Sequence, residues 1–361
     1  MDEMIAAEPA LAERLLWRLG RGDGAAARLA AEVRTAAAAG TSIVATGCGT
    51  SEHGAMAIAA ILSAALRTSG SRARVSAVQA FEAALEPRDG GLLIAVSHEG
   101  GTAATLRAMD AARERGARVG LVTVSDRSPG AARADVVVAT DEEDQSWCHT
   151  VGYLSPVLAG AALGGHVTGI PPDAGVVRDL LFEGANRTDA AETLAAALAR
   201  VDRLLIVGSG VDLIAARELA LKVEEACYLP ATAMDIETVL HGHQPATDAT
   251  TGMIVIVTDP LRRNERWERG QGLLRAAARI GIRSGTILAA GMSWALPPEL
   301  TPAGRILVGE TPDLAAPVAS LLGTATPLQV LASRLARARG VDPDPIRLED
   351  PAYLEASRLA G

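Results

Sequence analysis

Two stretches far apart in the chain share one grammar, and that repeat constrains the fold more than any other feature. "IVATGCGTSEHGAMAIAA" (43–60) aligns with "LIVGSGVDLIAARELALK" (205–222), placing Gly47 on Gly208 and Gly49 on Gly210. Further on, "TLRAMDAARERGARVGLVTV" aligns with "LLRAAARIGIRSGTILAA", placing Gly116 on Gly281. The offsets, 161 and 165 residues, are nearly constant, so the chain reads as two copies of one unit. In each copy short β-branched runs alternate with amphipathic helical stretches. That pattern calls for an α/β fold, each copy a parallel sheet with helices on both faces. The first copy offers strands at Ser42–Thr46, Arg74–Val78, Leu92–Ser97, Arg118–Val124 and Asp135–Ala139. The second offers Leu204–Val207, Met253–Thr258 and Ser284–Leu288. The proline pair in "TGIPPDAGVVRD" marks the connection, giving a first domain at 1–172, a second at 173–339 and a tail at 340–361 expected to reach towards the site.

A length of 361 residues fits two domains, and 49% apolar content supports full-sized cores. Aromatic residues are only 2%, so those cores must be aliphatic. The net charge of −9 argues against nucleic acid as a partner, because phosphate neutralisation needs a basic surface. Three widely spaced cysteines, Cys48, Cys148 and Cys227, form no CxxC pair or disulfide framework, which suits a reducing compartment. The acidic start "MDEMIAAEPALAERLLWRL" is unlike a signal peptide. The longest apolar runs fall short of the ~18 residues a spanning helix needs. A cytoplasmic protein without membrane contact is therefore expected. Lys222 is the only lysine, every other basic side chain being arginine, and lysine is the one whose proton a site can tune.

Open parallel sheets bind ligands at the carboxyl ends of their strands. The first copy is heavily loaded there. After its first strand come Cys48, Gly49, Thr50, Ser51, Glu52 and His53; after the third comes "SHEGGTAAT" (97–105); after the fifth comes "DQSWCHT" (144–150), with Trp147 and His149 as ligand candidates. Three of the six histidines, His53, His98 and His149, lie in these loops, and His241 and His243 share one loop of the second copy. Hydroxyls at Thr50, Ser51, Ser97, Thr102 and Thr105, with backbone N–H groups at helix starts, can cradle an anion or polyol. "GCGTSE" is not a dinucleotide fingerprint, since its third glycine would fall at Glu52. No cofactor is expected.

These motifs resemble the sugar isomerase (SIS) superfamily, in the tandem-domain form of the isomerase half of glucosamine-6-phosphate synthase. "CGTSEHGA" resembles the family's Cys-Gly-Thr-Ser loop, and "SHEGGTAATLRA" its Ser-x-Ser-Gly-x-Thr-x-x-Thr phosphate loop. "ELALKVEEACYLPATAMDIETVLHG" resembles its Glu-Gly-Ala-Leu-Lys-x-x-Glu helix and the His-Gly that follows. "TPLQVLASRLARARGVDPD" resembles its closing helix. The resemblance implies a sugar phosphate or amino sugar substrate. It implies Glu225 as the base moving a proton between C1 and C2, Lys222 at the carbonyl end, and His241 assisting ring opening from the neighbouring subunit of a homodimer. Cys48, Gly49, Thr50, Ser51, Ser97, His98, Glu99, Thr102, Thr105, Trp147 and His149 would contact the substrate.

The sequence also departs from the family. Glu99 stands where the phosphate loop has its second serine, and a carboxylate beside phosphate is repulsive in a dry site. Asp350 stands at the family's tail lysine, so Schiff-base chemistry from that position is not expected. The synthase's glutaminase domain is expected to be absent, which leaves isomerisation, deamination or deglycation open. Two alternatives stand beside the isomerase: a non-catalytic phosphosugar sensor, and a metal-dependent enzyme using Cys48, His53, His98, Glu99, Cys148 and His149, residue types that suit zinc.

Overall fold

The computed structural model describes residues 1–360. The chain opens with helices α1 (Asp2–Leu19) and α2 (Ala25–Ala39). The first sheet follows: β1 (Ile43–Gly47), α3 (Thr50–Thr68), β2 (Val75–Gln79), α4 (Ala80–Leu85), β3 (Leu92–Val96), α5 (Ala103–Glu114), β4 (Arg118–Thr123), β5 (Val136–Ala139) and α6 (Val151–Thr168). Then come α7 (Ala174–Ala185) and α8 (Thr188–Leu198). The second sheet runs β6 (Arg203–Gly208), α9 (Asp212–Cys227), β7 (Ala231–Asp235), α10 (Ile236–Thr238), β8 (Thr251–Val257), α11 (Arg263–Ile280), β9 (Arg283–Ala289) and β10 (Gly304–Val308). The chain closes with α12 (Ala316–Ala338) and α13 (Pro351–Ala360).

Both sheets are five-stranded and wholly parallel, ordered β2-β1-β3-β4-β5 and β10-β9-β8-β6-β7. Numbered within each copy, the two orders are the same, so the repeat read from the sequence is a repeat of topology. The central strands β1, β3 and β8 are buried along their whole length, as parallel strands covered on both faces must be. In the first sheet Val44, Leu93, Ala95 and Leu121 pack against Met109 and Ala112 of α5. On the other face α2 comes so close that a Cβ on Gly120 would meet Leu29 at 2.5 Å. In the second, α11 covers one face through Trp267, Leu273, Leu274 and Ala277. On the opposite face Leu194 of α8 lies against Gly285. Helix α6 is apolar all round and correspondingly buried on nearly every side.

Two strands of the second sheet, β7 and β10, were not expected from the sequence. β7 reads "ATAMD", with few β-branched residues, and is half exposed at a sheet edge. β10, "GRILV", is the opposite edge. The chain divides into two compact units. One comprises Ala7–Asp144 and Val151–Arg178; the other comprises Met1–Ala6, Gln145–Thr150 and the described residues from Asp179 onward. Among the described residues no helix is long and apolar enough to cross a membrane.

Candidate active site

In the first sheet's unit the ligand-loop residues gather at the carboxyl ends of two hydrogen-bonded neighbours, β1 and β3. The β1–α3 junction is tight. A Cβ on Gly47 would lie 2.5 Å from the Ser51 carbonyl oxygen, and Gly49 takes φ of 55°, so both positions require glycine. Cys48 lies 4.0 Å from the Thr105 hydroxyl, and the Gln79 amide donates to its sulfur at 3.7 Å. Burial pushes the Cys48 thiol above its ordinary range, so it is a neutral thiol rather than a thiolate. Ser97 and Thr102 hydroxyls are 3.3 Å apart, with Ser97 buried and Thr102 exposed. Thr50 and Thr105 are buried, and Ser51, Glu52 and His53 are half-buried in the first turn of α3.

His98 is anchored inside its own unit. Its Nε2 accepts from the Asp144 backbone N–H at 3.0 Å, and its carbonyl accepts from Thr123 and Val124. Glu99 is exposed. The loop after β5 divides: Asp144 receives the Gly152 N–H at 2.9 Å, whereas Gln145–Thr150 packs with the second sheet's unit. Among the described residues no three His, Cys, Asp or Glu side chains are grouped as a metal site requires.

The second unit carries an ionic cluster along one face of α9. Glu218, Lys222 and Glu225 occupy positions i, i+4 and i+7, which stack on one side of a helix. Lys222 Nζ lies 3.5 Å from Glu218 and 2.7 Å from Glu225. Glu218 and Lys222 side chains are fully buried, and Glu225 keeps 27% exposure. Burial pulls the Lys222 ammonium down, but Glu218, Cys148 and Glu225 together overturn that and hold it above the ordinary lysine range. Lys222 is therefore a fixed cation and not a free amine. The Cys148 thiol, pushed far up by burial, donates to Glu225 Oε2 at 3.8 Å. Both donors fall on the same carboxylate oxygen, Oε2.

The loop bearing Trp147, Cys148 and His149 is pinned at both ends. Ser146 donates to Asp344 of the tail at 2.6 Å, and Gln329 of α12 donates to the Thr150 carbonyl at 3.1 Å. Trp147 is 59% exposed, and His149 is half-buried. In the tail, Asp350 accepts the Ala352 N–H at the start of α13, and Arg347 is stacked between the rings of Tyr228 and Tyr353.

His241 sits in a kinked turn after α10, itself just beyond the carboxyl end of β7. Its side chain is 73% exposed, and its partner is Glu237 at 3.1 Å rather than Glu225 or Lys222. Glu237 is in turn held by Arg269 of α11, at 2.8 Å from Nη2, which keeps its carboxyl below the usual range. Glu237, Arg269, Gln79 and Asp344 are site neighbours that the sequence does not single out. Only Glu237 carries a local signal, four residues before the histidine.

Residues 38–163 match the family model described as the SIS domain. That segment is an SIS domain. A glutamine–fructose-6-phosphate aminotransferase (isomerizing) from Pyrobaculum aerophilum is 30% identical over 322 residues, which are 86% of this chain and 51% of that protein. The chain thus spans about half the length of this curated relative. Among solved structures, the C-terminal domain of glucosamine-fructose-6-phosphate aminotransferase from Francisella tularensis superposes with a TM-score of 0.80 at 15% identity, covering 94% of this chain and 96% of that one. Tagatose-6-phosphate ketose/aldose isomerase from Escherichia coli gives a TM-score of 0.73 at 19% identity, covering 95% and 94%. The SIS domain and its repeat thus share the tandem architecture of these proteins.

Proposed function

We propose that this SIS-domain protein is an aldose–ketose type isomerase or a related deaminase, acting on a sugar phosphate or amino sugar. The observation that carries the reading is the Glu225 carboxylate. It is partly exposed, and one oxygen is fixed by a buried ammonium and a thiol. That leaves Oε1 for a substrate proton. A base of this kind needs a carboxylate fixed in place beside the carbon it deprotonates. Lys222, protonated and immobile, steadies Glu225 and supplies positive charge towards a developing enolate oxygen. His241, exposed and oriented by Glu237, assists ring opening in the site of a neighbouring subunit of a homodimer. Thr50, Ser51, Ser97, Thr102 and Thr105 hold the polar head of the substrate. The exposure of Glu99 supports this role, because its carboxylate need not face a phosphate. The relatives named for isomerising or aminating fructose 6-phosphate and for interconverting tagatose 6-phosphate support the substrate class.

The test is NMR of the full chain in D2O with a panel of hexoses, amino sugars and their 6-phosphates, following proton loss at C1 or C2. The expected result is exchange with at least one compound. No exchange across the panel would overturn the proposal. A second reading, a phosphosugar sensor, is favoured by Asp350, which caps α13 where the synthase-like pattern has a lysine. A sensor would bind one panel member and return it unexchanged.

A further inference from the structure

We propose that the second sheet's unit holds a separate binding site for a small uncharged polyol, in a cavity at the carboxyl ends of β8, β9 and β10. The cavity encloses about 530 Å³, within the ~300–1,000 Å³ of small-molecule sites. It does not include the α9 cluster.

The repeat shows why its ligand differs from an anion. At the offset of 161 residues that pairs Gly47 with Gly208, Ser51 falls on Asp212 and Ser97 on Thr258. Asp212 is fully buried and fills the position itself. It accepts from the Thr258 backbone at 2.9 Å, the Thr258 hydroxyl at 2.6 Å, the Asp259 N–H at 3.1 Å and the Ser320 hydroxyl at 2.9 Å. A copy of the first unit's anion loop has thus been closed by an internal carboxylate. Thr258 and Ser320 line the cavity next to it. The charged groups lining the cavity, Arg263 and Glu310, pair with each other. A phosphate therefore finds no unpaired positive charge in the wall and is disfavoured relative to a neutral ligand.

Hydrogen-bonding capacity nevertheless remains. Arg263 uses Nη1 on Glu310 and Nη2 on the Thr258 carbonyl, and its Nε is buried without a partner among the described residues. The Thr311 hydroxyl is likewise buried and unpartnered. Each such atom is costly to leave unsatisfied. Thr258 directs its proton to Asp212 and lies 2.8 Å from the Ser320 hydroxyl, and each Glu310 oxygen, already held by Arg263 or the Gly291 N–H, keeps a second lone pair for a ligand. Ala289 and Ala319 add apolar wall. Donors, acceptors and an apolar surface together match a molecule whose hydroxyls donate and accept and whose C–H face packs flat.

Hydrogen–deuterium exchange of the full chain, read by mass spectrometry, tests this with sorbitol, glucose, glucose 6-phosphate and inorganic phosphate at millimolar concentrations. Sorbitol or glucose is expected to slow exchange several-fold in peptides covering 258–263 and 308–320, which line the cavity. Ala319→Leu, which fills the cavity, should abolish the effect. If that variant fails to fold, Thr311→Val should weaken it. The proposal fails if neither neutral compound slows those peptides, if only the phosphates do, if slowing is spread over the whole chain, or if it survives Ala319→Leu.

Discussion

Lys222 is the only lysine in the chain, and it is fully buried between two carboxylates of its own helix. Removing one member of such a cluster leaves an uncompensated buried charge. Lys222→Met is therefore expected to cost about 3–5 kcal/mol, measured by urea unfolding, and Lys222→Met with Glu218→Gln should cost less than the single change. The buried thiols set a second test. Burial pushes Cys227 up to about 12 and Cys148 further, while Lys222 is held above its ordinary value. In the unfolded chain thiols lose their protons near pH ~8.5 and lysine near ~10.4. The native state keeps these protons where the unfolded state has released them, so stability falls as pH rises. The fall should begin near pH ~9 for the thiols and be joined by Lys222 above ~10.5, each contributing about 1 kcal/mol per pH unit. Urea midpoints between pH 8 and 11 (roughly the thiol-to-lysine window) would show it. Cys148→Ala with Cys227→Ala should flatten the slope, and an unchanged slope would refute the assignment.

At the scale of elements, the two strand–loop–helix junctions are built alike. A Cβ on Gly47 would lie 2.5 Å from the Ser51 carbonyl oxygen, and one on Gly208 would lie 2.4 Å from that of Asp212. Gly47→Ala and Gly208→Ala should each lower stability by about 1–3 kcal/mol through forced backbone shifts, seen as matched drops in Tm. A loss at one junction only would break the equivalence. The repeat was legible because these glycines answer to sterics that no other residue meets. The central strands were legible because burial on both faces demands continuous apolar runs. Strands β7 and β10 were not, since an edge strand needs little apolar sequence and its pairing partner is distant along the chain. The α9 face was legible by helical spacing. The part played by Cys148 was not, because a contact with Glu225 across 77 residues leaves no local trace. The kinked turn after α10 adds one more test. Glu237→Gln should leave Tm nearly unchanged, since the site is exposed, yet lower turnover by releasing His241 from its orientation. Turnover equal to wild type would remove Glu237 from the account.

At the scale of the molecule, His241 is largely exposed, and the proposed shared site of a homodimer would give it a role. Mixing Glu225→Gln with His241→Ala chains, each inactive alone, should then restore up to about a quarter of wild-type activity, because about half the dimers are mixed and each carries one intact site of two. No recovery after subunit exchange would place Glu225 and His241 in a site within one subunit and remove the shared site. Proton transfer by Glu225 can be tested without a second variant. For whichever compound exchanges, solvent deuterium incorporation at C1 or C2 should be compared in wild type and Glu225→Gln at matched saturation. A loss of roughly 10²–10⁴-fold in exchange, with ligand binding retained, is expected. Exchange at the wild-type rate in Glu225→Gln would contradict it.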